Sequence, residues 1–202
     1  TPLGAVAQFA AAGKRTARKD LAMQAIAYGN VYVATVAMGA NPQQTLDAFR
    51  EAEAYKGPSL ILAYCQCIAH GIDMRLGMKQ QDLAVASGHW PLIRFNPDLR
   101  SVSANPFQLD SPRPTIKLKE YAYNEMRYKS LAAVRPEEAA ALAEMAQTVA
   151  TERYRSYEEL AQRDGSRFHP AAEAVSQELV VDLSDSGTGL GRRTGNELRK
   201  GD

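Results

Sequence analysis

Cysteine is scarce in this 202-residue chain, which has two, Cys65 and Cys67, separated by one residue. Such a pair makes a poor disulfide framework, and two thiols cannot by themselves complete a four-thiolate metal site. A surplus of charge is missing too: 24 lysines and arginines face 23 aspartates and glutamates, so no global field draws the chain to nucleic acid or to an acidic membrane surface. No apolar run approaches the roughly 20 residues of a membrane span. No secretory signal precedes the cysteines, and a reducing cytoplasm is the expected compartment. The chain opens on Thr1-Pro2-Leu3-Gly4 without an initiator methionine, which reads as an internal start with the domain continuing upstream.

What remains is an ordinary globular composition, long enough for one domain or part of a larger one. A short apolar helix signal runs over Ala5 to Ala12, and a helix is expected to begin near Asp20. Val31 to Met38, rich in β-branched residues and bracketed by Gly29 and Gly39, reads as a buried strand. Asn41-Pro42 supplies an N-cap and a first helical proline. Leu46, Phe49 and Ala52 then recur at helical spacing until Gly57-Pro58 ends the helix, and Leu60 to Ala63 resumes a strand. Strand, helix and strand in this span predict a βαβ unit of a parallel sheet, hence an α/β fold. After residue 111 the pattern turns helical, first over Ile116 to Leu131. A longer helix is expected from Arg135-Pro136 to about Leu160, with Leu142, Met145, Val149 and Tyr157 on one face.

In open α/β sheets, chemistry gathers where the C-terminal ends of parallel strands give way to loops, and Cys65 and Cys67 lie at such an end. A thiolate there could ligate soft metal or cluster iron, or pack as a small hydrophobe; a Cys-x-Cys pair does not decide between them. His70 and His89 have no acidic or nucleophilic partner at interpretable spacing, so structural or solvent-facing roles are expected. Trp90, in the run Pro91-Leu92-Ile93, is expected to fill a core. Asp73, Asp82 and Asp110 are too scattered for a carboxylate cage. The pairs Lys14-Arg15 and Arg18-Lys19 read as a solvated face, with an acidic docking partner as the alternative. Ser184 to Gly191 contains Gly-x-Gly-x-Gly without Walker or Rossmann spacing, and reads as part of a flexible tail.

The stretch Ala63-Tyr64-Cys65-Gln66-Cys67-Ile68-Ala69-His70-Gly71 resembles the Ala-Tyr-x-x-Cys-Ile-x-x-Gly pattern of the pyruvate:ferredoxin (flavodoxin) oxidoreductases. The opening Thr1 to Arg15 resembles the segment after that family's Asn-Thr-Gly-Gly-Gln thiamine loop, and Ser87 to Pro97 and Asn105 to Ser111 resemble later stretches in the same order. The resemblance runs over about residues 1–163.

It implies a C-terminal fragment of the thiamine-diphosphate-binding domain: an α/β part at 1–110, a helical segment at 111–163 and a flexible tail at 164–202. It implies an enzyme that joins pyruvate and coenzyme A, releases carbon dioxide and passes electrons through 4Fe-4S clusters to ferredoxin or flavodoxin, as a homodimer. Cys67 matches the last cysteine ligand of the cluster nearest the thiamine, while Cys65 falls where the family needs no sulfur and is assigned to packing. No Gly-Asp-Gly with a following Asn occurs in the chain, so the ligands of thiamine diphosphate and Mg²⁺ are expected outside it, and the chain alone is expected to be inactive. The alternative is a noncatalytic electron-transfer or interaction subunit sharing a cluster with a partner chain.

Overall fold

The computed structural model describes residues 1–164. The Ser184–Gly191 glycine motif and the expected tail beyond 164 lie outside the described residues. Helix α1 (Leu21–Ile26) leads into strand β1 (Tyr32–Val36), then α2 (Pro42–Ala54) and β2 (Ser59–Ala63). Helix α3 (Gly77–Ala86), strands β3 (Ile93–Phe95) and β4 (Phe107–Leu109), and helices α4 (Leu118–Ala122), α5 (Met126–Val134) and α6 (Pro136–Ala161) follow. The four strands form one sheet in the order β2-β1-β3-β4.

The predicted βαβ unit is present, with β1 and β2 parallel and in register from Tyr32 against Ser59 to Val36 against Ala63. The sheet as a whole is mixed, because β3 pairs antiparallel with β1 and β4 antiparallel with β3. The β3–β4 connection is a short 3₁₀ turn at Pro97–Val102, capped by Asn96 and closed by Ser103 at φ 56°. A connection of that length suits an antiparallel return, whereas a parallel one needs a longer crossover.

Strand β1 is buried at all five positions. Tyr32, Ala34 and Val36 pack with Ala48 of α2 on one face, and Val33 packs with Ile93, Phe95, Phe107, α1 and Tyr157 of α6 on the other. The result is three layers, helix, sheet and helix. At the start of α2, Asn41 accepts the Gln44 amide at 2.9 Å, as its sequence promised. The face that α2 buries differs from the one its apolar spacing predicts. Gln44 and Ala48 are buried and Ala52 is partly so, while Leu46 and Phe49 are 45% and 53% exposed. Polar contacts set this orientation. Gln44 Nε2 donates to Thr35 O (3.2 Å) and to Asp110 Oδ2 (3.0 Å), and Tyr32 donates its hydroxyl to Glu51 at 3.0 Å. Arg94 of β3 ion-pairs with Glu51 and makes a forked pair of bonds to Asp110, at 2.8 and 2.9 Å.

Two further readings change. Ala5 to Ala12 forms no helix; it is a looped turn with a single bridge between Ala7 and Ala10, entered and left through Gly4 and Gly13, each at φ +79°. Those left-handed conformations favour glycine, and at Gly13 a Cβ would meet Leu131 at 2.7 Å. Leu3 and Ala5 of this turn are buried, Leu3 with Leu131, Ala139 and Leu142, and Ala5 with Tyr121 and Tyr128. The helix expected over Ile116 to Leu131 breaks into α4 and α5, since Glu125 between them turns inward and is fully buried. On α6, Leu142 and Tyr157 are buried and Val149 packs against the Leu142 cluster, but Met145 is exposed. Among the described residues no helix is long and apolar enough to cross a membrane.

Replacing Arg94 by Met would leave Asp110 and Glu51 of α2 without their cation. Removing one partner of a buried pair costs about 3–5 kcal/mol, and the partial exposure of Glu51 puts the expected loss near the lower end, about 3 kcal/mol. Urea denaturation of Arg94→Met measures it. A loss no larger than that of Arg50→Met, whose charge is exposed, would contradict this account.

Candidate functional site

The parallel pairing of β1 and β2 delivers residues 64–71 to one end of the sheet. Tyr64 continues the ladder by donating its amide to Val36 O at 2.9 Å, and the chain then leaves as a loop. Glutamine side chains fix the first part of that loop. Gln81 Nε2 on α3 donates to Gln66 Oε1 at 3.0 Å, and the amide of Gly39 donates to Gln81 Oε1 at 2.7 Å. Cys67 opens a 3₁₀ turn over Ile68–His70, its carbonyl accepting the His70 amide at 2.9 Å. Gly71 closes the turn at φ +72°, where a Cβ would strike Met126 at 2.4 Å. Only glycine fits that position on both counts.

Both thiols are free, with Cys67 half-buried and Cys65 exposed. Cys65 therefore does not pack into a core as its sequence assignment had it; Sγ donates to the neighbouring Gln66 carbonyl at 3.3 Å and lines a cleft of about 560 Å³. Tyr64, His70, His89, Arg18 and Arg127 line the same cleft. The Tyr64 and Tyr121 hydroxyls meet at 2.8 Å, and Tyr121 donates onward to Glu125 at 3.3 Å. Glu125 also accepts from Gln80 at 3.1 Å and ion-pairs with Arg127. Burial pushes the Tyr64 phenol up to about 12, and burial pushes Tyr121 higher still.

His89 is stacked on Tyr121, with ring centroids 4.5 Å apart. Burial, reinforced by Arg153, Arg18 and Arg127, holds its pKa well below the ordinary value. His70 is lowered by burial and then by Arg127, and its Nδ1 is enclosed without a partner. The two histidines are therefore neutral at neutral pH, and neither is poised as a general acid. Trp90 packs against two core clusters and donates Nε1 to Val36 O at 3.2 Å, in keeping with the core role expected of it.

Two of the four basic residues near the N-terminus are engaged internally. Arg15 pairs with Glu138, and the Arg18 guanidinium lies 5.2 Å from the Trp90 ring centroid. Among the scattered aspartates, Asp110 joins the Arg94 network and Asp73 pairs with Arg75. No three His, Cys, Asp or Glu side chains converge as a metal site among the described residues. Sequence reasoning missed the buried Glu125–Arg127 pair; its one visible sign is two opposite charges between the tyrosines 121 and 128 that frame this core.

The His89 environment carries a pH signature. A histidine whose folded pKa is depressed binds its proton first in the unfolded state, so stability is full above the unfolded value of about 6.5 and falls as pH drops below it. Between pH 7 and 5.5 the chain should lose about 1 kcal/mol on this account. His89→Phe keeps the ring on Tyr121 and should flatten the slope by that amount, read from urea melts at the two pH values. Parallel slopes in the two proteins would refute the assignment, since the His70 effect is common to both.

No protein-family profile matches the chain. Individual relatives do. The chain is 52% identical over 164 residues to the pyruvate-flavodoxin oxidoreductase of Trichormus variabilis, a match covering 81% of this chain and 14% of that protein. It is 48% identical over 162 residues to the pyruvate:ferredoxin oxidoreductase of Moorella thermoacetica, covering 80% and 14%. Against the mitochondrial pyruvate dehydrogenase [NADP(+)] of Euglena gracilis it is 42% identical over 203 residues, 98% of this chain and 11% of the relative, so that this match extends beyond residue 164. The chain thus spans about a seventh or less of the length of these curated relatives. Identity of 42–52% across four fifths of the chain or more makes it a member of the pyruvate-flavodoxin and pyruvate:ferredoxin oxidoreductase family, corresponding to one segment of the longer polypeptide.

Proposed function

We propose that this chain is the part of a thiamine-dependent, iron–sulfur pyruvate oxidoreductase that supplies the last cysteine ligand of the cluster nearest the thiamine, and that Cys67 is that ligand. The observation that carries the reading is the 52% identity to a protein named pyruvate-flavodoxin oxidoreductase. In the whole enzyme, pyruvate and coenzyme A give acetyl-CoA and carbon dioxide, and the electrons go to ferredoxin or flavodoxin. Residues 1–110 belong to the thiamine-binding domain and 111–163 to its helical finish. The ligands of thiamine diphosphate and Mg²⁺ lie outside this chain, which is inactive alone; the complete protein works as a cytoplasmic homodimer.

The donor set is too small to complete a cluster from this chain alone. A 4Fe-4S cluster needs about four thiolates, and this chain has two thiols with no converging third group among the described residues. Cys67 is half-buried at the start of a turn whose backbone is tied down at His70 and Gly71, so its Cα–Cβ direction is set before any cluster arrives. Cys65 lacks such a turn of its own. When bound, the cluster would remove the electrons that decarboxylation leaves on the thiamine. The chain's own part is to hold a thiolate still, to keep neutral tyrosines and His89 along the neighbouring cleft, and to bias that cleft towards negative charge through Arg18 and Arg127.

The test is Cys67→Ser beside Cys65→Ser, each in the complete polypeptide that contains this segment. Expected for Cys67→Ser is loss of one cluster's iron, of its electron paramagnetic resonance signal, and of at least about 10- to 100-fold in acceptor reduction, the range that outer partners of a metal alone command. Cys65→Ser should retain all three. A full iron complement in Cys67→Ser, or the loss appearing in Cys65→Ser instead, would remove Cys67 from the role.

A further inference from the structure

Arg153 is a half-buried cation whose partners do not match its charge. It stands on α6 and donates Nη2 to the carbonyls of Gly88 and His89, at 3.1 and 2.6 Å. Its Nε is closed off from solvent and has no hydrogen-bond partner, and it joins none of the ion pairs among the described residues. Asp20 lies nearby, but its Oδ1 accepts the Met23 amide and its Oδ2 accepts the Tyr157 hydroxyl at 2.5 Å. Of the other part-buried arginines, Arg94 and Arg127 each have a carboxylate, whereas Arg100 donates to the Gly29 carbonyl and lies over the Phe95 ring. An enclosed guanidinium left without one costs several kcal/mol.

A cavity of about 220 Å³ opens at this arginine. Arg18, Lys19 and Asp20 form part of its wall, and Leu62 and Trp90 give it an apolar side. Charge in the wall is in excess on the positive side, and Arg18 is held over Trp90 at the same place. Drug-sized and nucleotide ligands occupy pockets of about 300–1,000 Å³, so this cavity suits something shorter.

We propose that the cavity is a binding site for a carboxylate carried on a short apolar stem, with Arg153 and Arg18 taking the carboxylate and Leu62 and Trp90 the stem. Guanidinium is the group that matches carboxylate geometry by paired N–H donors, and Arg153 Nη1, which makes no hydrogen bond among the described residues while Nη2 holds two carbonyls, is a donor still unspent. Two sources share this chemistry: a free short-chain acid, or an acidic side chain from the longer family polypeptide. The cavity shares Arg18 and Trp90 with the cleft beside the thiol loop, but none of its lining belongs to that loop, so its success or failure does not depend on the role of Cys67.

Trp90 is the single tryptophan of the chain and stands in the cavity wall, so its emission reports occupancy. The 202-residue chain is titrated with sodium butyrate, with butyramide and sodium chloride as controls at matched ionic strength. A saturable change with butyrate alone is expected, at about 1–10 mM, the weak end of the affinity scale. Arg153→Met should weaken it about tenfold or more. Arg18→Gln, an exposed change that does not threaten the fold, should weaken it about twofold to fivefold and carries the test if Arg153→Met fails to fold by circular dichroism. No saturable response, an equal response to butyramide, or undiminished affinity in the folded variants would overturn the proposal. In the complete polypeptide, the emission difference between the parent and Trp90→Phe distinguishes the sources. A continued response to butyrate identifies a free acid as the occupant, and silence there, with binding in the 202-residue chain, identifies a side-chain carboxylate.

Discussion

Every other element answers to the burial of β1. Tyr32 to Val36 is closed off on both faces and bonded on both edges, and a strand in that position needs two partners and two covers. Both of its hydroxyls are accounted for: Tyr32 donates to Glu51, and Thr35 Oγ1 donates to Pro91 O at 2.6 Å and accepts from the Ile93 amide at 3.0 Å. Helix α2 covers one face because it is also the crossover that makes β2 parallel. The same crossover sends the end of β2 to the end of β1, where Tyr64 adds one more bond to the ladder before the chain turns into the thiol loop. The loop's location is thus a consequence of pairing rather than of anything in its own residues.

Charge inside the structure is handled in three ways, and the contrast has meaning. Arg94 faces two carboxylates and docks α2; Arg127 faces Glu125 and holds the junction of α4 and α5. Arg153 has carbonyl oxygens alone, which accept its hydrogen bonds without matching its charge. Neutral acceptors return less than a carboxylate does, so the third arrangement is the least compensated of the three. It also lies within electrostatic reach of Arg18 and Asp20, in a wall where cations outnumber anions.

Much of the β1–α2–β2 unit was legible because local signals agreed with one another: β-branched residues between glycines, Asn41 before Pro42, and Gly57-Pro58 at the far end. The face of α2 was not legible. Leu46 and Phe49 have the right spacing for a core, but Gln44 and Glu51 have the partners, and periodicity counts apolar residues without seeing which polar ones will be paid in hydrogen bonds. Ala5 to Ala12 misled for a related reason, since alanine favours helix locally while Gly4 and Gly13 close a turn that only tertiary contacts with Leu131 and Leu142 make stable. Antiparallel pairing of β3 was hidden because three-residue strands leave no period to read. At the site, the position of the thiols at a strand end could be read directly, whereas the exposure of Cys65 and the buried Glu125 depend on residues far away in sequence.

The two cysteines, similar in the sequence, are unlike in the fold. Cys65 follows the last ladder bond and points its thiol at nothing firmer than the next carbonyl, in an open cleft. Cys67 begins a hydrogen-bonded turn that ends on a glycine no other residue can replace without displacing Met126. Before it, Gln66 is held to α3 through Gln81, which is held in turn by the amide of Gly39 after β1. Backbone on both sides of Cys67 is therefore fixed by separate elements, and its thiol can be aimed at a partner without the entropy cost of first ordering the loop. In the neighbouring cleft burial raises Tyr64 to about 12 and lowers His89. The two thiols thus differ in exposure and in the turn that follows Cys67, while the backbone around both is held by neighbouring elements.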